Sequence, residues 1–247
     1  MTIGVHTSSF QSLLVPGSDP VDVLVGAMVA CGARECELAA PQVEARFGGP
    51  HAGHGGMSSM SAQMMRRELR KWRLRTPDSY FEAIGSRFRK AGLAIRAFNY
   101  SPDASFTDQE IERGVEMATA LGAGMLTAGA VPGLAKKIAP FAARHRMTIA
   151  LAGDAGADAS GAPPYVKIAV DAAAFASAGE SLPEYVRAHR TDIAALRLTC
   201  GQPDAQVRQT LDAIAHGGWP IATFVELHGA ASPIEDVKRC LAALQGG

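Results

Sequence analysis

Short apolar segments, each followed by a stretch with helical periodicity, recur along the whole of this 247-residue chain. They lie at residues 3–5, 35–38, 94–98, 125–128, 148–151, 167–170, 193–198 and 221–225. Strands that alternate with helices pair in parallel, because each helix returns the chain to the same edge of the sheet. About eight such units predict an α/β fold, a closed (β/α)8 barrel that forms a single domain over residues 1–247. In that architecture the residues at the C-terminal ends of the strands form the active site.

Two stretches depart from this alternation. The connection at residues 41–76 is long and contains a Gly-rich run at 48–56, and we expect it to lie as a loop over the C-terminal face of the barrel. Its basic segment at 66–75 predicts a solvated helix with Trp72 and Leu74 packed beneath it, or else a site for a sugar phosphate. Residues 152–166 are rich in Gly, Ala and Asp, which predicts a shortened or missing helix between strands five and six.

The composition argues against several classes of function. Lys plus Arg and Asp plus Glu number 24 each, so the chain has no net charge to attract nucleic acid. No apolar run approaches the roughly 20 residues of a membrane-spanning helix, and the first residues read as a strand rather than a signal peptide. We therefore expect a cytoplasmic protein without nucleic-acid or membrane partners. Its four cysteines, without CxxC spacing, are expected to be buried thiols.

A family resemblance rests on motifs between residues 58 and 143. They are RKWRLRTP at 70–77, AFNY at 97–100, FTDQEI at 106–111, ALGA at 120–123 and KKIAPFA at 136–142. Together they resemble xylose-isomerase-like TIM barrels, the proteins often called sugar phosphate isomerases/epimerases, and the resemblance extends more weakly to residue 247. It implies an isomerase or epimerase that moves protons or hydride between adjacent carbons of a small carbohydrate. It also implies a divalent cation (Mn, Mg, Co or Zn) held by Glu, Asp and His at the later strand ends, and a homodimer as one assembly.

Most of the ligands implied by the resemblance are not matched in this chain. LAGD at 151–154 stands where two imidazoles would follow strand five, and DAAA at 171–174 keeps the aspartate of strand six but loses the histidine. Arg197 replaces the histidine of strand seven, and strand eight keeps Glu226. A guanidinium has no lone pair to donate and repels a cation. We therefore predict a degraded metal site and no cofactor, with Asp154, Asp171 and Glu226 as weak candidates for a rearranged cation site.

The catalytic candidates are Glu226, Asp171 and Arg197. Glu226 either lines the pocket or pairs with Arg197, and Asp171 either acts in the site or caps the following turn. Other polar residues at strand ends are predicted to bind the substrate: His6, Glu37, Asn99, Thr127 and His228. Three functions stay open, namely an isomerase or epimerase with a rearranged metal, a catalytically silent barrel that binds a sugar, polyol or partner, and a metal-independent enzyme in which Arg197 supplies the positive charge.

Overall fold

The computed structural model describes residues 1–44, 59–103, 105–129, 131–153, 163–201 and 205–245. Within them, eight strands in sequential order close into one barrel, and every neighbouring pair is parallel. The strands are β1 (Ile3–His6), β2 (Glu35–Ala39), β3 (Ala94–Asn99), β4 (Met125–Ala128), β5 (Thr148–Gly153), β6 (Val166–Asp171), β7 (Ile193–Thr199) and β8 (Ala222–Glu226). The predicted (β/α)8 barrel is therefore confirmed, and each apolar segment of the sequence is a strand.

Helices surround the barrel. A 3-10 helix (Thr7–Leu13) follows β1, and the α-helices of the described chain are α1 (Pro20–Ala30), α2 (Ala40–Val43), α3 (Ser59–Arg75), α4 (Asp78–Lys90), α5 (Asp108–Leu121), α6 (Leu134–His145), α7 (Ala172–Ala178), α8 (Leu182–Ala188), α9 (Ala205–Gly217) and α10 (Pro233–Gln245). Local chemistry sets their ends. Thr107 and Glu110 form a capping box at the start of α5, and Gly122 ends it at φ 80°. Among the described helices, none combines the length and the hydropathy that crossing a membrane requires.

Two apolar layers hold the barrel together. The larger one lies between the strands and the helices, where residues such as Leu38, Phe98 and Leu196 pack against helix side chains. The smaller one consists of strand residues only, mostly alanines with Met125 and Phe224, and therefore fills the barrel interior. The interior is narrow beside β1, since a Cβ on Gly4 would approach the Phe224 ring to 2.8 Å. These apolar side chains fill the barrel below its C-terminal end, so the polar residues lie at that end.

The connection at 41–76 differs in part from the expected loop. Residues 59–75 form α3, and Trp72 packs against the core as expected, but Leu74 is 40% exposed, so its predicted burial was wrong. Among the basic residues of α3, Arg73 docks the helix: it is buried and donates two hydrogen bonds to Glu44, at 2.6 and 2.9 Å. The Gly-rich run and residues 154–162 lie outside the described residues, so the helix predicted to be short or missing between β5 and β6 stays a prediction.

The cysteines fall into two pairs. Cys31 and Cys36 are buried free thiols, as expected. The same expectation was wrong for Cys200 and Cys240, which form a disulfide with their Cα atoms 5.7 Å apart. Spacing in the sequence could not show this, because the bridge joins the end of β7 to the middle of α10 across 40 residues.

Candidate functional site

Polar side chains from most of the strands meet at the C-terminal end of the barrel. Glu37 of β2 accepts a hydrogen bond from Arg197 of β7, with 2.7 Å between Nη2 and Oε1. The two strands are not neighbours in the sheet, so this contact crosses the barrel interior. The mouth of the barrel is therefore bridged by an ion pair, at the position where the fold places active sites.

Glu37 is the buried centre of this group, with 1% of its side chain exposed. Besides the Arg197 contact, its Oε1 accepts hydrogen bonds from the Thr127 hydroxyl at 2.5 Å and from the Asn99 amide at 3.3 Å. Burial by itself raises the pKa of Glu37, but the His6 ring, the Arg197 guanidinium and the Thr127 hydrogen bond together lower that pKa below its ordinary value. Glu37 is thus a buried carboxylate whose ionised form is favoured by the groups around it.

Arg197 extends from Glu37 towards Glu226. Its Nε lies 3.8 Å from Oε2 of Glu226, and Asp171 is the neighbour of Arg197 on β6. Desolvation would lower the pKa of Arg197, but Glu37, Glu226 and Asp171 raise it above the ordinary value. The guanidinium is therefore charged at every physiological pH and lies between two carboxylates.

A short chain of contacts leads from β1 to Glu226. The Ser8 hydroxyl lies 2.5 Å from Nδ1 of His6 and donates to Oε1 of Glu226 at 2.7 Å. His6 Nδ1 itself is 3.4 Å from the same oxygen. Burial lowers the pKa of His6, although Glu37 and Glu226 oppose the shift, so the ring is neutral at pH 7. Ser8 has no signal in the sequence, since it lies at the start of the 3-10 helix after β1 and no periodicity marks it.

The other candidates lie at the edge of this group or beyond it. Asp171 is exposed and accepts a hydrogen bond from the backbone N–H of Ala173, so it caps α7. His228 Nε2 is 3.8 Å from Oε1 of Glu226, with 72% of its side chain exposed. Asp154 lies outside the described residues. The structure thus brings together His6, Glu37, Asn99, Thr127, Arg197 and Glu226, with Asp171 and His228 at the rim.

The described residues do not fit the divalent cation that the family resemblance implies. Arg197 places its positive charge between Glu37 and Glu226, where a cation would have to lie. Within the described ranges, no group of three or more His, Cys, Asp or Glu side chains could hold a metal ion. A cation at this position would have to displace the guanidinium against their mutual repulsion.

Solved structures with the same architecture provide the comparison. The barrel is similar to an uncharacterized protein from Parabacteroides distasonis, with a TM-score of 0.69 and 15% identity over 99% of this chain and 98% of the other. It is also similar to a sugar phosphate isomerase/epimerase from the same organism, with a TM-score of 0.68 and 12% identity over 100% and 96% of the two chains. The chain shares its (β/α)8-barrel fold with these solved structures. Endonuclease IV from Thermus thermophilus is more distant, with a TM-score of 0.55 and 12% identity over 100% and 98%.

The resemblance expected from the motifs is thus confirmed for the fold. No protein-family model matches the sequence, and no curated protein matches it significantly. Identities of 12–15% show a common (β/α)8-barrel fold and no more, and one fold hosts more than one chemistry. The function has to be argued from the side chains in the mouth of the barrel.

Proposed function

We propose that the protein binds a small uncharged carbohydrate at the barrel mouth and interconverts isomers or epimers by moving a proton between adjacent carbons without a metal. The observation that carries this proposal is the position of Arg197 between Glu37 and Glu226. A fixed positive charge beside a carboxylate can do the electrostatic work of a cation.

Each residue then has a defined role. The Arg197 guanidinium has five N–H donors, of which one is within hydrogen-bond distance of Glu37, so others can donate to the carbonyl oxygen of a sugar and stabilise the enediolate. Glu226, 15% exposed, would take the proton from the adjacent carbon and return it. Asp171, on the other side of Arg197, would serve as a second carboxylate at the rim. Glu37 would keep Arg197 in place.

The charge of the site favours an unphosphorylated substrate. The two carboxylates Glu37 and Glu226 outnumber the single guanidinium, and His6 is neutral, so the described group carries net negative charge. A phosphate would be repelled in this partly desolvated setting. The polar partners of the site, such as Asn99 and Thr127, are suited to hydroxyl groups instead.

A second candidate is a catalytically silent barrel that binds a sugar or polyol. It is favoured by the fact that the charged groups already satisfy one another: Glu37 pairs with Arg197, Ser8 donates to Glu226, and Asp171 caps α7.

One experiment separates the candidates. The protein is incubated in D2O with EDTA and a panel of aldoses and ketoses, both free and phosphorylated, and incorporation of deuterium at carbon is followed by proton NMR. We expect exchange that is unaffected by EDTA and reduced at least about 100-fold by Glu226→Gln or Arg197→Met. Arg144→Met, which alters an exposed surface pair with Glu112, is the matched control and should exchange normally.

The other outcomes overturn the proposal in different ways. Exchange that depends on an added divalent cation would restore the metal-dependent mechanism. Binding of a neutral sugar without any exchange would support the silent barrel. Exchange only with phosphorylated sugars would contradict the charge argument.

A further inference from the structure

Ser8 connects the buried imidazole of β1 to the carboxylate of β8. Its Oγ lies 2.5 Å from His6 Nδ1 and 2.7 Å from Glu226 Oε1. A hydroxyl has one proton to donate and can accept at its lone pairs. If the Ser8 hydroxyl donates its proton to the Glu226 carboxylate, its oxygen has to accept a hydrogen bond from His6, so Nδ1 of His6 carries the proton. The chain of donors then runs from His6 Nδ1–H to Ser8 and from Ser8 O–H to Glu226.

The far side of the imidazole makes no hydrogen bond within the described residues. Nε2 of His6 is buried and has no hydrogen-bond partner in the described chain. Its nearest acidic neighbour is Oε2 of Glu37, at 3.9 Å. At 3.9 Å neither a proton nor a lone pair on Nε2 makes a hydrogen bond to Glu37, so the Ser8 contact on the other ring nitrogen decides the tautomer. The backbone N–H of Ser8 also points to Nδ1, at 3.3 Å, and favours the opposite tautomer, but the 2.5 Å contact is much the shorter.

The turn that carries Ser8, which is the first turn of the 3-10 helix, is fixed on both sides. The Thr7 hydroxyl accepts a hydrogen bond from the backbone N–H of Ala39, at 2.9 Å, which ties the turn to the end of β2. The Ser9 hydroxyl accepts one from the N–H of Leu227, at 3.0 Å, directly after Glu226. Ser8 therefore reaches Glu226 from a backbone that is anchored next to the same residue. Its hydroxyl can hold one carboxylate oxygen in a defined orientation.

We infer that Ser8 is a positioning residue: it couples the Nδ1–H tautomer of His6 to Oε1 of Glu226 and so leaves Oε2 as the oxygen that accepts the substrate proton. Oε2 faces Arg197 at 3.8 Å, so the base and the group that stabilises the enediolate lie side by side. This inference rests on the proposed function for its catalytic consequence, and on the geometry alone for the tautomer.

The tautomer is tested without any substrate, by nitrogen-15 NMR of histidine-labelled protein at pH 7, with His6 assigned by comparison with His6→Asn. We expect a protonated Nδ1 and a bare Nε2. Ser8→Ala should transfer the proton to Nε2, because the backbone N–H of residue 8 still points to Nδ1. Ser8→Thr should keep the proton on Nδ1, and Ser177→Ala, which removes an exposed hydroxyl on α7, should change nothing.

The catalytic consequence is tested on the deuterium exchange. We expect Ser8→Ala to lower kcat about 10- to 100-fold with KM within about threefold, and Ser8→Thr to recover most of the loss. A protonated Nε2 in the unsubstituted protein, or an unchanged kcat in a folded Ser8→Ala variant, would refute the inference. If no carbohydrate undergoes exchange, the proposed function and the catalytic role of Ser8 fail together, while the NMR result still decides whether Ser8 couples His6 to Glu226.

Discussion

The ion pair across the barrel mouth can be tested by a double-mutant cycle on Glu37 and Arg197. Arg197→Met keeps most of the side-chain volume but removes the charge, and Glu37→Gln keeps the shape of the buried carboxylate but neutralises it. Since Glu37 has 1% of its side chain exposed and Arg197 has 27%, the two changes should not cost the same. The loss of unfolding free energy depends on which charged side chain is left without its partner.

Arg197→Met leaves an ionised carboxylate buried with only the neutral donors Thr127 and Asn99. Removing one partner of a buried pair in this way costs roughly 3–4 kcal/mol of unfolding free energy. Glu37→Gln leaves a guanidinium that reaches solvent and Glu226, so it should cost only about 1–2 kcal/mol. The double variant leaves no unpaired charge, and its cost should fall short of the sum of the single costs by roughly 2 kcal/mol.

Urea unfolding at pH 7, followed by circular dichroism, measures all four proteins. Arg144→Met, at an exposed pair, should cost less than about 1 kcal/mol and calibrates the loss of a surface arginine. Repeating the series at pH 5 should reduce the cost of Arg197→Met, because without the guanidinium Glu37 becomes easier to protonate. Strictly additive costs, or an Arg197→Met variant as stable as the parent, would show that the two residues do not form a coupled buried pair.

Two further predictions concern stability. The pKa values of Glu37 and His6 both lie below their ordinary values, and the ordinary value for histidine is 6.5. At acid pH the unfolded chain therefore binds more protons than the folded chain, so the unfolding free energy should fall as the pH drops below about 6.5. The fall should be less steep in His6→Asn. Cys240→Ala opens a disulfide that spans 40 residues, and should cost about 4 kcal/mol by the loop-closure estimate. A thiol titration of the unfolded, unreduced protein should find two free cysteines, and a count of four would disprove the bridge.

The barrel could be predicted almost entirely from the sequence because its information is local. Each strand is a short apolar run bounded by helix signals, and the ends of α1 and α5 are set by residues within one turn of them, such as Asp19 and Thr107. Parallel pairing and closure then follow from chain direction and from the number of units. Where local information was weak, the prediction was incomplete: the basic stretch at 66–75 indicated only the second half of α3, which begins at Ser59.

The polar residues at the strand ends could be named from the sequence, but the contacts between them could not. Position at a strand end brought His6, Glu37, Asn99, Thr127, Arg197 and Glu226 into consideration. The expected pair of Arg197 with Glu226 is present, with Nε 3.8 Å from Oε2. The hydrogen bond of Arg197, however, goes to Glu37 on the far side of the barrel, and this contact was not expected. Contacts across the interior depend on side-chain length and on barrel width, and neither follows from spacing in the sequence.

The narrow barrel interior allows Arg197 to reach Glu37, and this contact has a chemical consequence. Alanines and Phe224 fill the barrel up to the level of the polar residues, so an arginine from β7 can span the mouth and reach the carboxylate of β2. Arg197 has Glu37 as its buried counter-ion and brings a permanent positive charge close to Glu226, which is the arrangement that the proposed polarisation of a sugar carbonyl requires.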